Sequence, residues 1–338
     1  MPPVPRIGVV GSGFMGGVHA DAWRAAGAPI TSLLTRPGSE TGPELARRAG
    51  ATAVTGWDEF LDRVDVVDLC TPTHLHSEEV LRVAEAGKAV VVEKPLARTA
   101  DQAAELVAVC ERLGVPLLVG HVLRFVPEYA RAKEVVDRGD IGTPAVLRLT
   151  RNRSLPEKPG NNWFLDDEKS GGVVLDLMIH DLDYAQWVAG PVTTVYARSI
   201  RTARPGTDVD HAIALLTHAG GAITHLEASW AHPPSVFHTY LEIAGTAGLL
   251  QSDSDRTTPL RPALRDPAPQ GPVPLPSSPL AQSAFELQMR SFLEVLAGRT
   301  EPRVTARDAL AAVRAAEAAV ESLHTGLPVS LPLEEGSR

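Results

Sequence analysis

From residue 6 to residue 119, short apolar runs alternate with helical stretches, and this alternation narrows the architecture more than any other feature. Arg6–Val10, Ile30–Leu34, Val64–Cys70, Ala89–Val92 and Val115–Val119 read as strands. Met15–Ala26, Glu44–Ala49, Trp57–Asp62, Glu78–Ala86 and Ala100–Leu113 read as the helices between them. Strands joined through helices run parallel, and the pattern predicts a doubly wound α/β sheet. The runs are apolar almost throughout, as expected where helices cover both sheet faces.

After residue 122 the texture changes. A helix over Pro127–Arg138 leads to an alternating strand over Pro144–Thr150. Strands are then expected at Thr193–Ile200, Asp210–Thr217, Ala222–Ser229 and Thr239–Ala244, with short turns such as His218-Ala219-Gly220-Gly221. Consecutive strands of this kind predict a second, open and mainly antiparallel sheet. Asp253–Pro279, rich in Pro and Ser, reads as a long surface loop. Helices return at Ala281–Ala297 and Ala306–His324, and Glu334–Arg338 reads as a frayed tail. A chain of 338 residues suits two domains. The boundaries expected are 1–122, 123–330 and a tail over 331–338.

The glycines Gly11-Ser12-Gly13-Phe14-Met15-Gly16 follow the first strand and open the first helix, the context of a dinucleotide fingerprint. Gly11 permits the tight turn, Gly13 lets backbone approach a pyrophosphate at the helix N-terminus, and Gly16 allows close packing. Phe14 and Met15 complete the loop. Where an acidic residue normally holds the adenosine ribose, this chain has Thr35-Arg36. A hydroxyl beside a guanidinium suits a 2′-phosphate. The cofactor expected is therefore NADP or NAD, with the pair tilting toward NADP. Thr71, Pro72, His76, Glu93 and Lys94 stand at later strand ends, where loops approach such a cofactor.

A polar stripe interrupts an otherwise apolar stretch at Asp176, His180 and Asp183. On a helix these positions fall within an arc of about 60°. Charges among Leu175, Met178, Ile179 and Leu182 are costly unless paired or used, so the stripe should line a cavity. Lys94, at the end of a strand, is the best candidate partner. The same spacing of His and carboxylates could hold a divalent metal.

Together these residues resemble the oxidoreductase family named for glucose-fructose oxidoreductase, inositol 2-dehydrogenase and the rhizopine protein MocA. The motifs that carry the likeness are the fingerprint with His19, Thr71-Pro72-Thr73-His74-Leu75-His76, Ala86-Gly87-Lys88 and Glu93-Lys94-Pro95-Leu96. Ser170-Gly171-Gly172 with the stripe is similar to the family's active-site helix, and Ile179-His180-Asp181-Leu182-Asp183 is closest to inositol dehydrogenase-like members. The resemblance implies a Rossmann domain, a substrate domain on a large open sheet, last helices packing back on the first domain, and no metal. It also implies a homodimer or homotetramer assembled through sheet faces.

Its chemistry would be hydride transfer between nicotinamide and a secondary hydroxyl of a cyclic polyol or sugar. His180 would be the base, Lys94 would hold the alkoxide oxygen, and Asp176 would orient or pair. Asp183 would bind substrate hydroxyls, with Arg124, Asn152 and Trp163 as further substrate contacts. The alternatives are an NADPH-dependent reductase of a ketosugar and, from another class, a non-catalytic dinucleotide-binding regulator. The net charge of −9 speaks against nucleic acid as a partner. No stretch is long and apolar enough for a membrane span. Cys70 and Cys110 make no disulfide framework, so the cytoplasm is the expected location.

Overall fold

A computed structural model describes residues 4–156, 162–200, 210–233, 236–255, 260–264 and 283–333. The chain divides into two compact units: Met1–Phe125 with Gln282–Leu310, and Val126–Ala281 with Ala311–Arg338.

The first unit alternates β1 (Ile7–Val10), α1 (Phe14–Ala25), β2 (Ile30–Leu34), α2 (Thr41–Ala49), β3 (Thr52–Val54), α3 (Trp57–Leu61), β4 (Val66–Leu69), α4 (His76–Glu85), β5 (Ala89–Glu93), α5 (Ala100–Leu113) and β6 (Leu117–Gly120). All six strands are parallel, in the order β3-β2-β1-β4-β5-β6. That order reverses between β1 and β4, so a crevice opens at their carboxyl ends. Alternate residues divide between the two faces. Ile7, Val9, Val66 and Val91 share one core with Trp23 and Leu33. Local signals set the helix ends: the Thr99 hydroxyl accepts the Gln102 N–H to start α5, and Gly114, at φ +67°, stops it. A later helix, here numbered α9 (Ala284–Leu296), adds Met289 and Phe292 to the same core. The Phe292 ring lies 6.5 Å from Trp23 and 6.4 Å from Phe125.

The second unit holds α6 (Pro127–Asp137), β7 (Pro144–Arg153), α7 (Asp167–Ser170), α8 (Ile179–Ala189), β8 (Val192–Ile200), β9 (His211–His218), β10 (Ile223–Ser229), β11 (Phe237–Gly245), β12 (Gly248–Asp253) and β13 (Leu260–Leu264). After α9 the chain adds α10 (Ala306–Thr325), which crosses from one unit to the other, and β14 (Val329–Ser330). The eight-stranded sheet runs β13-β12-β11-β7-β10-β9-β8-β14. Only β7 and β10 pair in parallel, and the other neighbours are antiparallel. Leu147, Leu149, Leu226, Leu241 and Ile243 are buried on one face, and α8 packs on β7 and β10. Arg148 and Glu242, paired across β7 and β11, stand on the other face.

Three differences from the sequence reading have physical causes. β3, at three residues, is too short to announce itself by alternation, and the run Gly248-Leu249-Leu250-Gln251-Ser252-Asp253 of β12 alternates in burial but not in polarity. β13 takes Leu260–Leu264 out of the long loop expected over Asp253–Pro279, pairing Leu264 with Gly248 of β12. The rest of that loop from 265, and the tail from 334, lie outside the described residues. The stripe helix is not regular: a π-helical turn over Val174–Met178 precedes α8. No helix among the described residues is long and apolar enough to cross a membrane.

Candidate active site

At the carboxyl ends of β1 and β4 the glycines are forced by contact. Gly11 has φ +100°, and a Cβ there would stand 2.8 Å from the Cys70 carbonyl oxygen. A Cβ on Gly16 would lie 2.0 Å from the Gly11 carbonyl oxygen, so α1 can approach the turn only with glycine. Gly13 faces open space, with nothing within 4 Å of such a Cβ. Phe14 is exposed and Met15 half-buried. The loop therefore offers a helix N-terminus and free backbone, which fits a dinucleotide pyrophosphate.

Beyond β2 the structure corrects one expectation. The Thr35 side chain is buried against α2: a Cβ on Gly42 would stand 2.4 Å from its methyl carbon. The hydroxyls less buried there belong to half-buried Ser12 and Ser39 and to exposed Thr41. Ser12 Oγ lies 2.9 Å from Thr41 Oγ1, and Ser39 Oγ accepts the Gly42 N–H at 3.1 Å. Arg36 is exposed beside them.

After β4 and β5 the loops are tied together. Buried His76 has Nδ1 2.8 Å from the Pro95 carbonyl oxygen and Nε2 3.0 Å from that of Thr71. Burial pushes this imidazole below its ordinary range, against the pull of the two carbonyls. The ring thus stands between two strand-end loops, and in its neutral form it donates to one of the two carbonyl oxygens. The Thr71 hydroxyl donates to Glu79, whose carboxyl burial raises to about 7. Pro72 is half-buried in the same loop, and Lys94, also half-buried, precedes Pro95 through a cis peptide bond.

Beneath Lys94 lies a buried ionic cluster that the sequence reading missed. His19 of α1 sits between Asp68 of β4 and Glu93 of β5. Trp23 Nε1 donates to Asp68 Oδ2 at 2.7 Å, and Glu93 Oε2 accepts the Lys94 N–H at 3.0 Å. Burial is the largest single influence and opposes the imidazole charge, but Asp68 together with the other groups around the ring holds it well above its usual value. Burial likewise resists the Glu93 charge, while His19 brings that carboxyl below its ordinary range. Burial pushes the Cys70 thiol up to about 12, so it meets Asp68 as a neutral donor. The available signal was Asp68 itself: a carboxylate inside an otherwise apolar strand must be paired.

In the second unit, left-handed Gly171 and Gly172 turn the chain from α7 into the π turn. A Cβ on Gly171 would strike Leu175 at 2.5 Å. Ser170 braces the turn, donating toward the carbonyl oxygens of Phe164 and Asp166 and accepting the Gly172 N–H. Asp176, in the π turn, and Asp183 are buried, and His180 is half-buried. Asp181 points at the sheet, where Arg151 grips it through two bonds of 2.8 and 2.9 Å. Burial resists the guanidinium charge, yet Asp181 raises its pKa further. With Asp181 directed at the sheet, 100° per residue sets Asp183 about 160° away from it and His180 about 100° to one side. The π turn, a feature frequent at functional sites, stands under Asp176.

Other expected substrate contacts have different places. Arg124 is buried and donates to the Arg303 carbonyl oxygen at 2.9 Å and Asp308 at 3.2 Å, ties within the first unit. Asn152 was expected beyond its strand. Instead β7 continues to Arg153, so Asn152 falls on the face opposite Arg151 and donates to Glu227 at 2.8 Å. Trp163 is half-buried and stacks on Phe164, ring centroids 4.0 Å apart.

Comparison with known proteins agrees with this architecture. Residues 5–121 match the oxidoreductase family's NAD-binding Rossmann fold, and residues 129–251 match the GFO/IDH/MocA C-terminal domain. The chain is 30% identical to the D-apiose dehydrogenase of Paraburkholderia graminis, covering 96% of this chain and 88% of that protein. It is 29% identical to the inositol 2-dehydrogenase of Rubrobacter xylanophilus, over 95% and 92% of the two chains. A solved levoglucosan dehydrogenase in complex with NADH and levoglucosan has a TM-score of 0.86 at 25% identity, over 97% of this chain and 99% of that one. Matched along both of its domains, the chain belongs to the Gfo/Idh/MocA family of oxidoreductases, and its first unit is that family's NAD-binding Rossmann domain.

Proposed function

We propose that the chain is an NAD(P)-dependent dehydrogenase that oxidises a secondary hydroxyl of a cyclic polyol or sugar. The observation that carries this reading is the row Asp176, His180 and Asp183 on one helical segment, two of its members buried and the third half-buried. Such a row suits a ligand bearing several hydroxyl groups, which bond to carboxylates and imidazole alike. A bound nicotinamide supplies the hydride acceptor. His180 takes the hydroxyl proton, and the Lys94 ammonium holds the oxygen as negative charge develops. Asp176 orients His180. Asp183 binds a neighbouring hydroxyl, and the flat Trp163–Phe164 stack offers an apolar wall. That relatives are named for apiose, inositol and levoglucosan supports a ring-shaped polyol.

A second reading rests on the hydroxyls of Ser12, Ser39 and Thr41 beside Arg36, which suit a 2′-phosphate. NADP is then the preferred cofactor, and the same groups working in reverse reduce a ketosugar. The open sheet face exposes Ile213, Leu215 and Ile223, which supports pairing with a second copy as a homodimer or homotetramer. The enzyme is assigned to the cytoplasm.

A screen of inositols, aldoses and ketoses with NAD and NADP side by side tests the substrate class. His180→Ala should lower turnover about 10²- to 10⁴-fold and leave cofactor affinity intact. Unchanged turnover defeats the catalytic assignment. Arg36→Ala should weaken NADP far more than NAD, and equal losses count against the phosphate contact. Sedimentation showing a monomer at micromolar concentration would remove the assembly.

A further inference from the structure

Two carboxylates buried under neighbouring strand ends repel each other and resist leaving water. The His19 ring meets both, with Nδ1 2.9 Å from Asp68 Oδ2 and Nε2 2.8 Å from Glu93 Oε1. An ionised carboxylate only accepts, so each ring nitrogen carries a hydrogen, which is the imidazolium form. Every element around the ring is fitted to this arrangement. From α1, Trp23 donates to Asp68; from β4, the Cys70 thiol does so at 3.6 Å. Across β6, Gly120 pairs with Glu93, and a Cβ there would come within 3.1 Å of Glu93 Oε1. From α9 the Phe285 ring covers His19, centroids 5.8 Å apart. The remaining oxygen of Glu93 accepts the Lys94 amide.

We propose that His19 is a positioning residue for Lys94: doubly protonated, it fixes Glu93, and Glu93 fixes the Lys94 backbone so that the ammonium is presented in one orientation. The proposal rests on the reading of Lys94 as the group that holds the substrate oxygen. It assigns α1 a task besides receiving the pyrophosphate at its N-terminus. One helix then serves both ends of the cofactor site.

Two measurements need no turnover. In the unliganded wild-type chain, ¹⁵N spectra should show both His19 ring nitrogens protonated at pH 8; a neutral ring at that pH overturns the proposal. In His19→Gln, the Lys94 amide should exchange with solvent at least about tenfold faster as its Glu93 bond loosens; unchanged protection overturns it. With substrate, His19→Gln should lower kcat about 10- to 100-fold with the cofactor KM nearly constant. The acid limb of its pH profile should move up, because Glu93 no longer faces a cation. Wild-type kcat and pH profile in this variant sink the proposal whatever the melting temperature. If His19→Gln does not fold, Glu93→Gln carries the same comparison: it too should lower kcat with the cofactor KM nearly constant, and wild-type kcat overturns the proposal. If the wild-type chain oxidises no polyol or sugar, the functional reading fails, and ring protonation and amide exchange still decide whether His19 holds Lys94.

Discussion

Each unit places a buried ion pair next to a proposed catalytic residue, and the two pairs differ in kind. Glu93 precedes Lys94 and is held by His19; Asp181 follows His180 and is held by Arg151. The Arg151 fork does not titrate in the accessible range, so α8 stays pinned to β7 at any working pH. The His19 ring can lose its proton, so the anchor beneath Lys94 depends on pH. An imidazole must take up a proton to bridge two carboxylates, whereas a guanidinium facing one carboxylate is already charged across the working range.

The sharpest way to break the comparison is Asp181→Asn. It leaves a buried guanidinium uncompensated and should cost about 3–5 kcal/mol, with little change between pH 5 and 9. Denaturant titrations at several pH values measure this, and a strongly pH-dependent loss would erase the contrast. His19→Gln should cost less, about 2–3 kcal/mol at pH 7, because Glu93 can relieve the repulsion by taking up a proton. Its pH dependence has a definite sign. His19 is raised in the folded chain, so its contribution is complete below the ordinary histidine range and fades as pH climbs through the folded value. Glu93 is lowered, so its contribution is present above the ordinary carboxylate range and is lost as pH falls. The wild-type advantage over the variant should therefore peak between those limits, and a flat difference from pH 4 to 9 would contradict it. Smallest of all, Cys70→Ala removes a weak thiol donor at 3.6 Å and should cost under about 1 kcal/mol. A larger loss would mean that the cluster depends on Cys70 as much as on Trp23.

What could be read from the residues follows how each part is specified. The nucleotide end is built from backbone, so its requirements surface as glycines at fixed spacing, and Gly11 and Gly16 stand where contact forbids any other residue. Ala100–Leu113 has both a hydroxyl cap and a closing glycine, and its bounds in the structure are those expected. The partners of Asn152 and Arg124 were not legible because they are distant in sequence: Glu227 lies 75 residues from Asn152, and Asp308 lies 184 from Arg124.

By itself the sequence determined the alternation that forces a parallel sheet, the glycine turn at the first strand, and the grouping of Asp176, His180 and Asp183. These are local properties, set by steric limits and by the periods of helix and strand. Only the tertiary structure decided that Thr35 turns inward and that His76 braces two loops. It alone placed a π turn under Asp176 and a buried imidazolium behind Lys94. A buried polar group is defined by what surrounds it, and here the surroundings come from α1, β4, β5, β6 and α9, which meet only when the chain has folded.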